Sequence, residues 1–169
     1  NILFIALYIG ALSMLNADSW MLEINATNIY NNETPGDWVT LGMCDGCNDW
    51  FHFGEDEYDL PTPPDYYTDI SFTNFDWVGT FDDNGNECLN PEFYIDKKDY
   101  HNPIDLLEWN IGGFTNLINN NIPIKLTWEF DEISDEYEIF IYINTIGHNM
   151  KNQNELIINQ EDLTVNYDP

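Results

Sequence analysis

A chain of 169 residues with 43% hydrophobic and 15% aromatic residues can bury a core as one ordinary domain, which excludes a disordered acidic tail. Against 31 acidic residues stand four lysines (Lys97, Lys98, Lys125, Lys151) and no arginine, for a formal net charge of -27. Phosphate contacts need Lys and Arg, so nucleic acid and anionic membrane surfaces are excluded as partners, while divalent cations are attracted.

Ile2 to Leu15 is an uncharged apolar run closed by Asn16-Ala17. It is short for a membrane span, which takes about 20 residues. Its length suits the core of a secretory signal over residues 1–17, with cleavage after Ala17 and a mature domain at 18–169. Without an initiator Met or a basic start, the leader is expected to be truncated, and without a following Cys it is not a lipoprotein anchor. The alternative is a hydrophobic segment kept for anchoring or filament assembly.

Beyond Ala17 the pattern is strands and turns. Trp20, Leu22, Ile24 and Ala26 alternate with Met21, Glu23 and Asn25, which predicts a half-buried strand. Asn31 to Gly36 is a turn cluster, and Trp38, Val39 and Leu41 open the next strand. Further strands are expected at Tyr66–Phe72, Trp77–Phe81, Glu92–Ile95 and Ile104–Ile111, the last broken by Gly112-Gly113. Phe114 to Asn121 reads as a loop. The clearest alternations are Ile124 to Phe130 and Tyr137 to Ile143; Leu156–Ile158 and Leu163–Tyr167 follow. No helical period persists, so parallel α/β folds are excluded.

The stretch Asp37 to Pro64 carries the chemistry. Six acidic residues fall within the fifteen positions Asp45–Asp59, with no Lys or Arg among them. Calcium takes six to eight oxygens from carboxylates and carbonyls on a flexible loop. Asp45, Asp49, Glu55, Asp56 and Asp59 are the candidate ligands. Asp82 to Glu87 has a calcium-like beginning, but Gly85 and Phe93 occupy the wrong positions for an EF-hand, and Asn84-Gly85 reads as a hairpin turn.

The cysteines, Cys44, Cys47 and Cys88, imply one disulfide and one remaining thiol in an exported protein, with the pairing open. A zinc site is disfavoured, because no second Cys pair follows and His52, His101 and His148 are scattered. Trp38, Trp50, Trp77 and Trp109 spread over strands and loops, and Trp50 and Phe51 are the aromatics expected to be exposed for stacking on a glycan. Trp20, Trp109 and Trp128 fall on apolar strand faces, as core residues do. No Gly-x-Ser-x-Gly, His-Glu-x-x-His or phosphate loop occurs, so no enzyme is expected.

Val39-Thr40-Leu41-Gly42 leads into Asn48-Asp49-Trp50, then Gly54-Glu55-Asp56, Asp59-Leu60-Pro61 and Pro63-Pro64. Leu126-Thr127-Trp128 and Tyr137-Glu138-Ile139 follow late in the chain. Together these resemble a β-sandwich domain of secreted and cell-surface proteins of Bacteroidetes-like bacteria, which often carry type IX sorting tails. The resemblance covers most of residues 20–167; Val39 to Pro64 is its specific part. His52, where the family often has Asp, and the Cys44/Cys47 pair depart from it.

The expectation is an all-β protein, an antiparallel immunoglobulin-like β-sandwich behind a short apolar signal segment. Its expected role is a non-catalytic, secreted or cell-surface module, stabilised by calcium, that serves attachment or accompanies a larger secreted protein. The alternatives are a carbohydrate-binding module using exposed aromatics and a surface-filament subunit that retains its apolar N-terminus. A divalent cation, a glycan or another surface protein are the expected partners.

Overall fold

The computed structural model describes residues 3–9, 19–29, 36–59, 68–99, 107–115, 123–130, 137–143 and 146–159. The strands are β1 (Leu3–Ile9), β2 (Trp20–Asn28), β3 (Asp37–Cys44), β4 (Glu57–Tyr58), β5 (Thr68–Thr73), β6 (Glu92–Asp99), β7 (Leu107–Thr115), β8 (Ile124–Phe130), β9 (Tyr137–Ile143), β10 (Ile146–Asn149) and β11 (Glu155–Ile158). They join in an 11-stranded sheet of order β10-β9-β1-β7-β5-β6-β3-β2-β8-β11, with β4 attached to β6. The protein is all-β.

Alternation decides which face each strand buries. In β2, Trp20, Leu22, Ile24 and Ala26 are buried while Met21, Glu23 and Thr27 are exposed. The register sets Leu22 against Leu41 and Ile24 against Val39 on one side, and Ile24 against Trp128 and Ala26 against Leu126 on the other. These pairs and Phe72, Phe93, Trp109, Ile111, Ile139 and Ile141 form one core.

The strands β10 and β11 lie at opposite ends of the sheet, yet only a 3-10 turn at Met150–Asn152 and two more residues separate them. An extended residue spans at most about 3.6 Å, so this connection brings the two ends of the sheet together. Trp128 on β8 fixes the closure: its Nε1 donates to Met150 O at 3.0 Å and its backbone N to Asn154 O at 3.2 Å. Across the fold, Trp20 of β2 meets Trp109 of β7 edge to face, with centroids 6.2 Å apart. Trp20, Trp109 and Trp128 are therefore core.

Several elements differ from the sequence expectation. The sheet is mixed, because β3 and β6 run parallel from Thr40↔Ile95 to Cys44↔Asp99. Residues 77–81 are not a strand: Phe75–Trp77 forms a 3-10 turn, and Gly79 with φ +82 carries the chain onward. Trp77 is there a single inward anchor, its ring 5.3 Å from Phe93. Gly112-Gly113 does not end β7, since both pair with β5, at Ser71 and Ile70. The apolar run expected as a leader contributes β1, which pairs antiparallel with both β7 and β9. A uniformly apolar run suits a strand flanked on both sides as well as it suits a leader. The strand expected at Leu163–Tyr167 lies outside the described residues.

Gly42 on β3 lies tight against β2: a Cβ there would lie 2.5 Å from Trp20 O and 3.1 Å from Met21 Cγ. Gly42→Ala is expected to cost about 2 kcal/mol by overpacking, seen as a lower urea midpoint at unchanged m-value.

Candidate functional site

The acidic loop after β3 is organised by its own carboxylates. The chain turns at Asp45-Gly46, with Gly46 at φ +80, and the Cys44–Cys47 disulfide closes that turn. The third cysteine, Cys88, is buried, its Sγ against Asn90 O at 3.3 Å. Backbone N–H groups then take up the acids one by one. Gly46 N donates to Asp99 Oδ1 (3.0 Å), and Asp99 N to Asp49 Oδ1 (3.2 Å). Asn48 N donates to Glu55 Oε2 (2.9 Å), whose other oxygen lies 3.1 Å from His52 Nδ1.

Asp56 is the buried member. Its Oδ2 accepts from His52 N at 2.8 Å and its Oδ1 from Lys97 N at 3.2 Å, tying the loop to β6. Burial, and then the neighbouring Asp96 carboxylate, push its pKa up to about 7. Asp96 is fully buried on β6; its Oδ2 accepts from Asn74 Nδ2 at 2.9 Å, and burial pushes its carboxyl up. Trp109 Nε1 donates to the Asp96 carbonyl at 3.2 Å.

Of the five expected calcium ligands, only Asp59 joins a cluster of cation-binding geometry among the described residues. Asp45 is exposed at the turn, and Asp49, Glu55 and Asp56 accept from backbone N–H groups. The cluster consists of Asp37, Asp59 and Asp69, with one carboxylate oxygen of each within 4.8 Å of the others. Oxygens 2.3–2.6 Å from one calcium can be that far apart from each other, so the three can share an ion.

Three segments bring them together. Asp37 opens β3, and its Oδ2 accepts from Ile70 N of β5 at 3.1 Å. Asp59 follows β4, with its N donating to Glu92 O at 3.0 Å. Asp69 lies on β5 and is buried. Its pKa is pushed up to about 7 by burial, by the Asp59 charge, and by the hydrogen bond and charge of Asp37. Asp37 and Asp69 escaped the sequence reading because neither lies in the acid-dense stretch; only pairing across the sheet unites them with Asp59.

The Asp82–Glu87 segment is the turn its Asn84-Gly85 suggested. Gly85 has φ +83 and Phe81 bridges to Glu87. The Asp82 carboxylate accepts from the backbone N of Asn84, Asn86 and Phe53 and from Asn86 Nδ2, which holds its pKa below the ordinary range. Those donors occupy the oxygens a metal would need.

The two candidate glycan-stacking aromatics separate. Trp50 is 65% exposed, whereas Phe51 is 3% exposed and packs against both Tyr58 and Phe93, at 5.7 and 5.9 Å. Trp38 is also partly exposed, edge to face with Tyr94 at 4.9 Å.

No family model, curated protein or solved structure matches the chain.

The raised carboxyls give a sign for pH dependence. A folded-state pKa of about 7 against an ordinary 3.8 means that the folded form binds the proton more tightly at Asp56 and Asp69. Stability is therefore greatest near the lower value and declines as pH rises toward the upper one, levelling above it. In EDTA the melting temperature is expected to fall from pH 4 to pH 7. Asp69→Asn, which mimics the protonated carboxyl hydrogen-bonded to Asp37, is expected to flatten part of that slope.

Proposed function

We propose that the chain is a non-catalytic extracellular module, an immunoglobulin-like β-sandwich stabilised by calcium. It serves surface attachment or accompanies a larger secreted protein. The observation that carries this reading is the Asp37, Asp59 and Asp69 cluster. With all three ionised it holds three negative charges and, without an ion, keeps a proton near neutrality, which a divalent cation replaces. Calcium suits the site better than magnesium, because it tolerates irregular geometry, whereas magnesium demands a near-ideal octahedron. An ion there ties β3 and β5 to the segment after β4, the elements that frame the acidic loop.

The disulfide between Cys44 and Cys47 agrees with an oxidising compartment. The contact of Trp20 with Trp109 agrees with two layers facing each other. The Bacteroidetes-type β-sandwich resemblance adds a secreted or surface location to the reading.

Thermal unfolding with calcium, magnesium and EDTA tests it. Calcium at a hundredfold excess over Kd is expected to add about 2.7 kcal/mol, read as a raised melting temperature. Asp37→Asn and Asp69→Asn are expected to abolish the rise, and Asp45→Asn to leave it. An equal rise with magnesium, or none with calcium, defeats the calcium reading. The proton competes for Asp69, so the calcium effect is expected to fade as pH drops below 7.

A second reading, a surface-filament subunit that retains its apolar N-terminus, draws on β1. Leu3–Ile9 lies between β7 and β9, and cleavage after Ala17 would leave both of those edges unpaired. The N-terminal residue of the exported protein decides between them: Asp18 is expected under the first reading and an intact β1 under the second.

A further inference from the structure

The connections β3–β4 and β5–β6 expose a group of large apolar side chains. Trp50, Phe53, Phe75, Val78, Phe81 and Leu89 are each between 47% and 74% exposed. Among the described residues the remaining exposed ones, Met21, Trp38, Ile146 and Ile157, are dispersed singly on β2, β3, β10 and β11. Single exposed apolar residues are ordinary; a grouping on one loop cluster marks an interaction surface.

Hydrogen bonds join the segments that carry this group. Phe53 N donates to Asp82 Oδ2 at 3.3 Å, and Asn84 Nδ2 lies 3.3 Å from His52 Nε2. Gly79 N donates to Cys88 O at 2.9 Å, and Leu89 N to Tyr58 Oη at 3.1 Å. Beneath them Phe51, Tyr58 and Trp77 pack on Phe93. The surface is therefore fixed before any partner arrives, which lowers the entropy cost of docking.

Charge identifies the occupant. Between Asp45 and Glu92 the sequence has no Lys or Arg, and Asp83 and Glu87, near Phe81 and Leu89 in the chain, are exposed. A second copy of a chain with net charge -27 brings the same sign to this face and is repelled. A neutral sugar can stack on the aromatics but leaves Asp83 and Glu87 uncompensated. A segment rich in Lys or Arg satisfies both, pairing with Asp83 and Glu87 and laying its cations over aromatic rings.

We infer that this loop face docks an extended segment of a partner protein in which Lys or Arg alternates with apolar anchors. The inference rests on the attachment-module reading and supplies the class of its partner.

The test is fluorescence anisotropy of the full chain with a labelled synthetic peptide of alternating Arg and Leu, in calcium and in EDTA. Controls alternate Arg with Ser and Glu with Leu. The Arg/Leu peptide is expected to bind and to weaken as salt rises, because exposed charges are screened. Trp50→Ala and Phe81→Ala, at melting temperatures unchanged from the parent, are each expected to weaken it about tenfold. Asp83→Asn combined with Glu87→Gln is expected to reduce the salt dependence. Equal binding of the Arg/Ser peptide, or indifference to Trp50→Ala and Phe81→Ala, overturns the inference by reducing it to unspecific charge attraction. Absence of Arg/Leu binding overturns it too, and Trp50-dependent binding of a neutral oligosaccharide in its place assigns the face to sugars. Peptide binding intact in a protein whose melting temperature ignores calcium supports the inference and removes the calcium reading alone.

Discussion

Backbone N–H groups donating to buried carboxylates hold this molecule in shape. With four lysines and no arginine against 31 acidic residues, most of the acids cannot be compensated by cationic side chains. Asp56 takes two amides, from His52 and Lys97, and so stitches an otherwise polar loop onto β6. Asp82 does the same for its own turn and reaches over to Phe53. Removing one such acceptor leaves buried donors without a partner, which costs more than the bond itself contributes. The aromatic packing under the loops depends on this, because Phe51 stays against Phe93 only while the loop backbone is held.

The sheet has a matching constraint in Trp128. Its ring is buried in the core, and its Nε1 and backbone N both reach the connection between β10 and β11. A sheet of this many strands presents two open edges that invite pairing with other chains. Here the short link between β10 and β11 draws those edges toward each other, and Lys125 pairs with Glu155 at 2.6 Å across β8 and β11.

The strands with one buried face were legible because alternation has a single explanation: β2, β8 and β9 appear where Trp20–Ala26, Ile124–Phe130 and Tyr137–Ile143 announce them. Leu3–Ile9 was ambiguous, since an apolar run without alternation fits a leader or a strand with neighbours on both sides. The parallel pairing of β3 with β6 left no local trace, because register over such a distance is set by packing. Acid density marked the loop and Asp59, but not Asp37 and Asp69, which join Asp59 in space. The dense acids are used on amides nearby, while the Asp37, Asp59 and Asp69 cluster depends on where β3 and β5 come to lie.

The pairing of β1 with β9 has a kinetic meaning. Phe4 lies opposite Tyr142 and Ile9 opposite Tyr137, so β1 waits for a strand more than a hundred residues further along the chain. Long loops must close before such contacts reward the chain, and folding of topologies dominated by distant pairs falls in the millisecond-to-second range. During synthesis the sheet cannot be completed until β9 has emerged. Until then the edge of β7 that β1 covers lacks its full support.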